Sequence, residues 1–130
     1  MVRELINFLE DGTKEYRSHG QLHREDGPAI ITKAGDEYWY YDGFPHRLNG
    51  PAITKANGYE EYRLYGQVHR DDGPAILWAD GTKQWYKEGI KHRLKGPAVL
   101  YPSGNEEWWV NGKEVPRSSI KSEKLKMLGD

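Results

Sequence analysis

Cysteine is absent from the 130-residue chain. Its absence excludes disulfides, a thiolate metal site and a cysteine nucleophile, and it suits a reducing compartment. An excess of one charge is lacking too: 19 basic residues face 20 acidic ones, for a net charge of -1. That balance argues against non-specific nucleic-acid binding, against an acidic mimic of DNA and against docking on an anionic lipid surface. Long apolar runs are missing. The opening segment MVRELINFLEDG holds none long enough for a signal peptide, and no stretch approaches the roughly 20 apolar residues of a membrane span. The expectation is a soluble, cytoplasmic protein that uses neither membrane nor nucleic acid.

Apolar residues as a class are also scarce, at 36%, and the mean hydropathy is -0.93. Phenylalanine occurs only 2 times, whereas Tyr supplies 9 aromatic residues and Trp 5. Such a chain is too aromatic for disorder and too polar for a thick two-layer core. It implies a thin structure in which amphipathic rings cover polar backbone. With 15 Gly and 7 Pro, turns are frequent.

The turns recur at a fixed period. Gly-Pro-Ala begins at Gly27, Gly50, Gly73 and Gly96, and His-Arg precedes it at His23, His46, His69 and His92, always 23 residues apart. Further series at the same spacing run Gly20, Gly43, Gly66, Gly89 and Gly112, then Gly12, Gly35, Gly58, Gly81 and Gly104. An aromatic series runs Tyr16, Trp39, Tyr62, Trp85 and Trp108. The unit G-x-x-x-[YW]-x-x-x-G-x-x-H-R-x-x-G-P-A-[IV]-x-x-x-x is present four times, with a truncated fifth copy. A 46-residue alternation overlies it. Copies one and three carry Tyr-Arg at the aromatic position and acidic residues after His-Arg, whereas copies two and four carry Trp-Tyr and Leu-Asn or Leu-Lys.

Local signals within a unit are those of strands and tight turns. Asp42-Gly43 and Asn111-Gly112 are dipeptides of a type I′ hairpin turn, and Glu88-Gly89 is an equivalent two-residue turn. A second turn follows at x-x-Gly-Pro, and a third at Ala79-Asp80-Gly81 and its equivalents. No window through the four copies has helical spacing. The fold class expected is all-β: tandem β-hairpin repeats forming one extended, curved antiparallel sheet, with a short C-terminal helix or tail. The whole chain, 1–130, reads as one repeat domain, with a capping strand in 1–11, about four and a half repeats in 12–115 and a cap or tail in 116–130. Ile30, Ile53, Ile76 and Val99 are expected to share a core with the aromatic series, and Ala29, Ala52, Ala75 and Ala98 to face a spot too tight for anything larger.

The period, the W-x-x-x-G-x-x-H core from Trp85 to His92 and the Asp-Gly turn resemble a MORN-type repeat over residues 10 to 115. The chain departs from that pattern in having His-Arg where MORN units have His-Gly. The W-Y-x-x-G-x-x-H-R-x-x-G-P-A variant is similar to repeats of small phage, viral and bacterial proteins, some of the bacterial ones labelled antitoxins. The resemblance implies stacked hairpins and an interaction scaffold.

The pairs His23-Arg24, His46-Arg47, His69-Arg70 and His92-Arg93 are the most conspicuous polar feature. Equivalent histidines in adjacent modules lie roughly 10–14 Å apart at one strand spacing per strand, so one ion cannot bridge them. A group repeated in every module serves folding, and these pairs are expected to satisfy turn carbonyls and the carboxylates of Asp26 and Asp72. No singular constellation of unlike groups suggests catalysis, so no enzyme, metal or cofactor is expected. Partner recognition is instead expected at positions that vary between modules: Arg17, Tyr40, Tyr41, Arg63 and Tyr86, together with Trp78, Trp108 and Trp109. The C-terminal half, with its tryptophans, is the preferred docking surface.

The reading that follows is a non-enzymatic protein-binding module, in its most concrete form a phage-encoded inhibitor that blocks a bacterial host or defence protein. Sequestration of a nucleotide or glycan between aromatic and Arg ladders is the alternative, and an antitoxin-like or structural scaffold is a further one. Open edge strands would also allow a homodimer.

Overall fold

The computed structural model describes residues 5–119. The fold is all-β, and the helical segment among the described residues is a single 3-10 turn, Arg117–Ser119. No helix among them is long and apolar enough to cross a membrane. The segment from residue 120 onward, where a capping helix or tail is expected, lies outside the described residues. The chain has two compact units, Met1–Gln67 and Val68–Asp130.

In the first unit the strands Leu5–Phe8, Lys14–Ser18, Ile30–Ile31, Glu37–Tyr38, Ile53–Thr54 and Glu60–Glu61 follow one another in an antiparallel sheet. Leu5–Phe8 is the expected N-terminal strand. It pairs with Lys14–Ser18 in the register Ile6 opposite Tyr16, yet its apolar side chains stay exposed. The second unit repeats the pattern with Ile76–Leu77, Lys83–Gln84, Val99–Leu100, Glu106–Val110 and Lys113–Val115. Small arms fold beside these sheets, among them Tyr40–Tyr41 with Phe44–Pro45 and Tyr86–Lys87 with Ile90–Lys91.

Of the three turns in each module, the arm tip and the third are set by positive φ. At the arm tip both central residues have positive φ, as in Asp42 (48°) with Gly43 (83°) and Tyr65 (47°) with Gly66 (87°). Those are the dihedrals of a type I′ turn, whose twist matches that of the flanking strands. The Asp-Gly and Asn-Gly copies suit this geometry, whereas Tyr65 holds it at a conformational cost. The third turn closes through bonds such as Gly81 N–H to the Trp78 carbonyl at 2.9 Å, with Gly81 at φ 98°. A side-chain acceptor just before the glycine steadies it: Asp80 Oδ1 accepts from Thr82 N–H at 2.8 Å, and Asp11 from Thr13 at 2.9 Å. Those backbone bonds hold both carboxyls below their ordinary pKa.

Little is deeply buried. Ala29, Ala52, Ala75 and Ala98 are each 0% exposed, and the largest fully buried side chains among the described residues are His23 and Val99. The Ala ladder is as tight as expected. The aromatic series is only half-buried, and three of its rings are covered on one face by an arginine. The Arg24, Arg47 and Arg93 guanidinium carbons lie 3.9 Å from the ring centres of Tyr16, Trp39 and Trp85. The glycine of Gly-Pro-Ala closes the other side of the guanidinium: a methyl at Gly27 would sit 2.7 Å from Arg24 Cζ, and one at Gly96 2.7 Å from Arg93 Nη1. Each Arg then donates to the carbonyl of the next proline, Arg47 to Pro51 at 3.2 Å and Arg93 to Pro97 at 3.2 Å. The His-Arg-x-x-Gly-Pro motif is thus one device, an arginine held flat between a ring and a glycine.

Candidate functional site

The histidines bind one module to the next. The backbone N–H of Asp42 donates to His23 Nδ1 at 3.0 Å, that of Tyr65 to His46 at 2.9 Å, Glu88 to His69 at 2.9 Å and Asn111 to His92 at 2.9 Å. Each donor is the first central residue of the next arm turn. A backbone N–H can only donate, so Nδ1 is unprotonated and the ring proton sits on Nε2. The histidines therefore accept turn N–H groups, where sequence reasoning had them satisfying carbonyls. The arginines do meet turn carbonyls and acids, with Arg24 Nε 3.5 Å from Asp26 and Arg70 Nε 3.3 Å from Asp72.

The four histidines differ in what faces Nε2. His69 Nε2 lies 3.0 Å from Asp71, and His23 Nε2 lies 3.8 Å from Glu25. Asp42 also brings Oδ1 within 3.2 Å of His23 Nδ1. His46 is instead flanked by rings, Tyr41 at 6.1 Å and Tyr65 at 4.0 Å between centres. Burial holds its pKa below the ordinary histidine value. The unfolded chain then takes up this proton at higher pH than the folded one, so stability falls as the pH drops below about 6.5 and levels off once folded His46 is protonated. Denaturant titrations at about pH 7.5 and about pH 5.5 should show the protein weaker at the lower pH. The difference should shrink in His46→Phe; an unchanged difference would remove His46 as its source.

Beside His46 opens a groove of about 520 Å³, wholly within the first unit. The Trp39, Tyr41 and Tyr65 rings line it together with Glu25, Asp26, Arg47 and Leu48. Tyr41 packs on His23 at 4.5 Å between ring centres, and Tyr65 on His46. Tyr41 remains 40% exposed, Phe44 56%, Leu48 72% and Tyr65 67%. These side chains are contiguous: Phe44 is the register partner of Tyr41, and its ring lies against Gly66, next to Tyr65.

Of the residues expected to meet a partner, Tyr41 alone lines this groove. Arg17 and Arg63 strap their own arm turns, donating to the Gly20 carbonyl at 3.1 Å and the Gly66 carbonyl at 2.7 Å while pairing with Glu15 and Glu61. This gives the odd-even alternation a physical basis, since Tyr40 and Tyr86 cannot form such a strap. Tyr40 and Tyr86 are half-buried on their arms. Trp108 and Trp109 are consecutive on one strand and so point to opposite faces. Trp109 donates to Glu107 at 2.9 Å under the Lys91 ammonium, 4.5 Å from its ring centre, and Trp108 donates to Glu106 at 3.3 Å. The Trp109 and Tyr101 bonds hold the Glu107 carboxyl below its ordinary pKa. Trp78 is 45% exposed and donates to Gln84 at 3.0 Å.

Sequence reasoning passed over Trp39, Leu48 and Tyr65. The signal for Tyr65 was its place in the repeat, where the other copies have His19, Asp42, Glu88 and Asn111. Its ring packs on His46 at 4.0 Å between centres while it holds φ at 47° and stays 67% exposed. No protein-family model matches the sequence, and no curated protein matches it either.

Proposed function

We propose that this protein is a non-enzymatic binding module that holds another protein through the groove of its first unit and acts by occluding that partner's surface. The observation that carries the reading is the exposed set Tyr41, Leu48 and Tyr65 lining a groove of about 520 Å³, with exposed Phe44 paired to Tyr41 beside it. Contiguous apolar side chains with a charged rim are the composition of interface hot spots. Three polar side chains of the groove are committed to the fold, Arg24 and Arg47 to rings and proline carbonyls and His46 to the Tyr65 N–H, which supports a binding role over catalysis. The resemblance to MORN-type scaffolds points the same way.

The test is a pull-down from bacterial lysate with the wild-type chain and with the double variant Leu48→Asp, Tyr65→Asn. Both substitutions install what other copies carry, Asp71 and Asn111 at the equivalent positions, so the fold should persist. A stoichiometric protein partner should bind the wild type and be lost, at least about tenfold, from the variant. Equal capture by both would overturn the reading. The groove volume also lies within the range of small-molecule sites, which favours ligand sequestration as the second reading. A native mass carrying extra small-molecule mass and no protein would select it.

A further inference from the structure

The first strand of the first unit has an open edge that is complementary to itself. Among the described residues, Leu5–Phe8 pairs with Lys14–Ser18 alone. The Leu9 N–H donates to the Thr13 carbonyl at 2.8 Å, and the Leu9 carbonyl accepts from Gly12 N–H at 3.1 Å. Backbone groups alternate sides along a strand, so Leu5 and Asn7 also turn toward Lys14–Ser18. The N–H and carbonyl groups of Ile6 and Phe8 therefore point outward. Tyr16, the register partner of Ile6, fixes the same phase, because its N–H donates away from Ile6, to Ala29 at 2.7 Å.

The side chains of this edge are apolar on both faces. Leu5 is 59% exposed, Ile6 48%, Phe8 74% and Leu9 43%. Neither a charge nor a proline interrupts the run from Leu5 to Leu9, and those are the devices that protect an open edge from pairing. The last strand of the second unit has both: Lys113–Val115 carries Lys113 and Glu114, and Pro116 follows at once. One edge is guarded and the other is not.

We propose that two copies of the chain join through Leu5–Leu9, as an antiparallel pair about a two-fold axis at Asn7. In that register Ile6 of each copy stands opposite Phe8 of the other, and the outward groups of both form four main-chain hydrogen bonds. Leu5 falls opposite Leu9. Every facing pair is then apolar except the two Asn7 amides, which meet on the axis. Shifting the register by two residues one way sets Leu5 against Asn7, and the other way sets Ile6 against Glu10 and Asn7 against Leu9. Only the Asn7-centred register matches apolar with apolar throughout.

The experiment is sedimentation velocity on the full chain across about a hundredfold range of concentration, where the mass should rise from monomer to dimer and stop there. Single-cysteine variants test the register, since the chain has no other cysteine. Across the axis the two Asn7 Cα atoms stand about 4.5 Å apart, within disulfide reach, so oxidised Asn7→Cys should become a covalent dimer. The two Leu5 positions lie roughly 14 Å apart, so Leu5→Cys should not. Phe8→Glu faces Lys14 within its own chain, which holds the strand in place, and it sets a carboxylate against Ile6 of the second copy. That variant should unfold in denaturant as the wild type does and dimerise at least about tenfold more weakly. A chain monomeric throughout, a dimer unaffected by Phe8→Glu, or equal oxidation of the two cysteine variants would each overturn the proposal. Growth past the dimer would overturn it too, in favour of head-to-tail pairing.

Discussion

Replacing His23 with alanine should lower the stability of the protein by about 3 kcal/mol, more than any surface substitution. His23 is 1% exposed, in a fold whose other fully buried large side chain among the described residues is Val99. A ring in this position fills the space between its own module and the next, and its removal leaves a cavity under Tyr41, whose ring is 4.5 Å away. The same change removes the acceptor of the Asp42 N–H, bonded at 3.0 Å. That second loss is the smaller, about 1 kcal/mol, because Asp42 is exposed and water can reach its amide. His23→Phe separates the two: it keeps ring volume, deletes the acceptor and should cost about 1 kcal/mol. Denaturant unfolding followed by tryptophan fluorescence measures both variants. If His23→Ala cost no more than His23→Phe, the packing role given to this ring would be refuted.

What the sequence made legible was whatever every module repeats. The fold class, the strand and turn positions and the tightness at Ala29, Ala52, Ala75 and Ala98 follow from residues that recur at 23-residue spacing, since each copy confirms the others. The His-Arg pairs were legible as structural but not in their detail. Nothing in a tripeptide spacing says that Nδ1 of His46 will meet the N–H of Tyr65, 19 residues on, because that contact depends on the stacking of one module on the next. The candidate site was the least legible part. Trp109 and Arg63 look available in sequence, but Glu107 and Glu61, each two residues earlier and on the same strand face, engage them. Tyr41 belongs to a varying series in the sequence, and its meeting with Tyr65 at one groove comes from the packing of consecutive modules, which no single repeat shows.

Ala98→Leu should be as damaging as the loss of His23, at about 3 kcal/mol, for the opposite reason. Ala98 is 0% exposed, and its backbone is fixed from both sides: its N–H donates to the Glu107 carbonyl at 2.8 Å, and its carbonyl accepts from the Trp85 N–H at 2.8 Å. Three extra carbons can enter only if those bonds lengthen or if Trp85 moves, and Trp85 carries Arg93 on its face at 3.9 Å. Arg93 is confined in turn by Gly96, where even a methyl would stand 2.7 Å from Nη1. Overpacking at one alanine is thereby passed through the whole ring–arginine–glycine device, and the thin sheet has no second layer to absorb it. Ala98→Gly, which adds nothing to the site, should cost only about 1 kcal/mol through backbone entropy. Chemical denaturation of the two variants beside the wild type distinguishes a crowded site from a merely buried one. A leucine variant within about 1 kcal/mol of the wild type would show that the module can open at this position, and the account of the Ala ladder as the tightest contact in the repeat would fall.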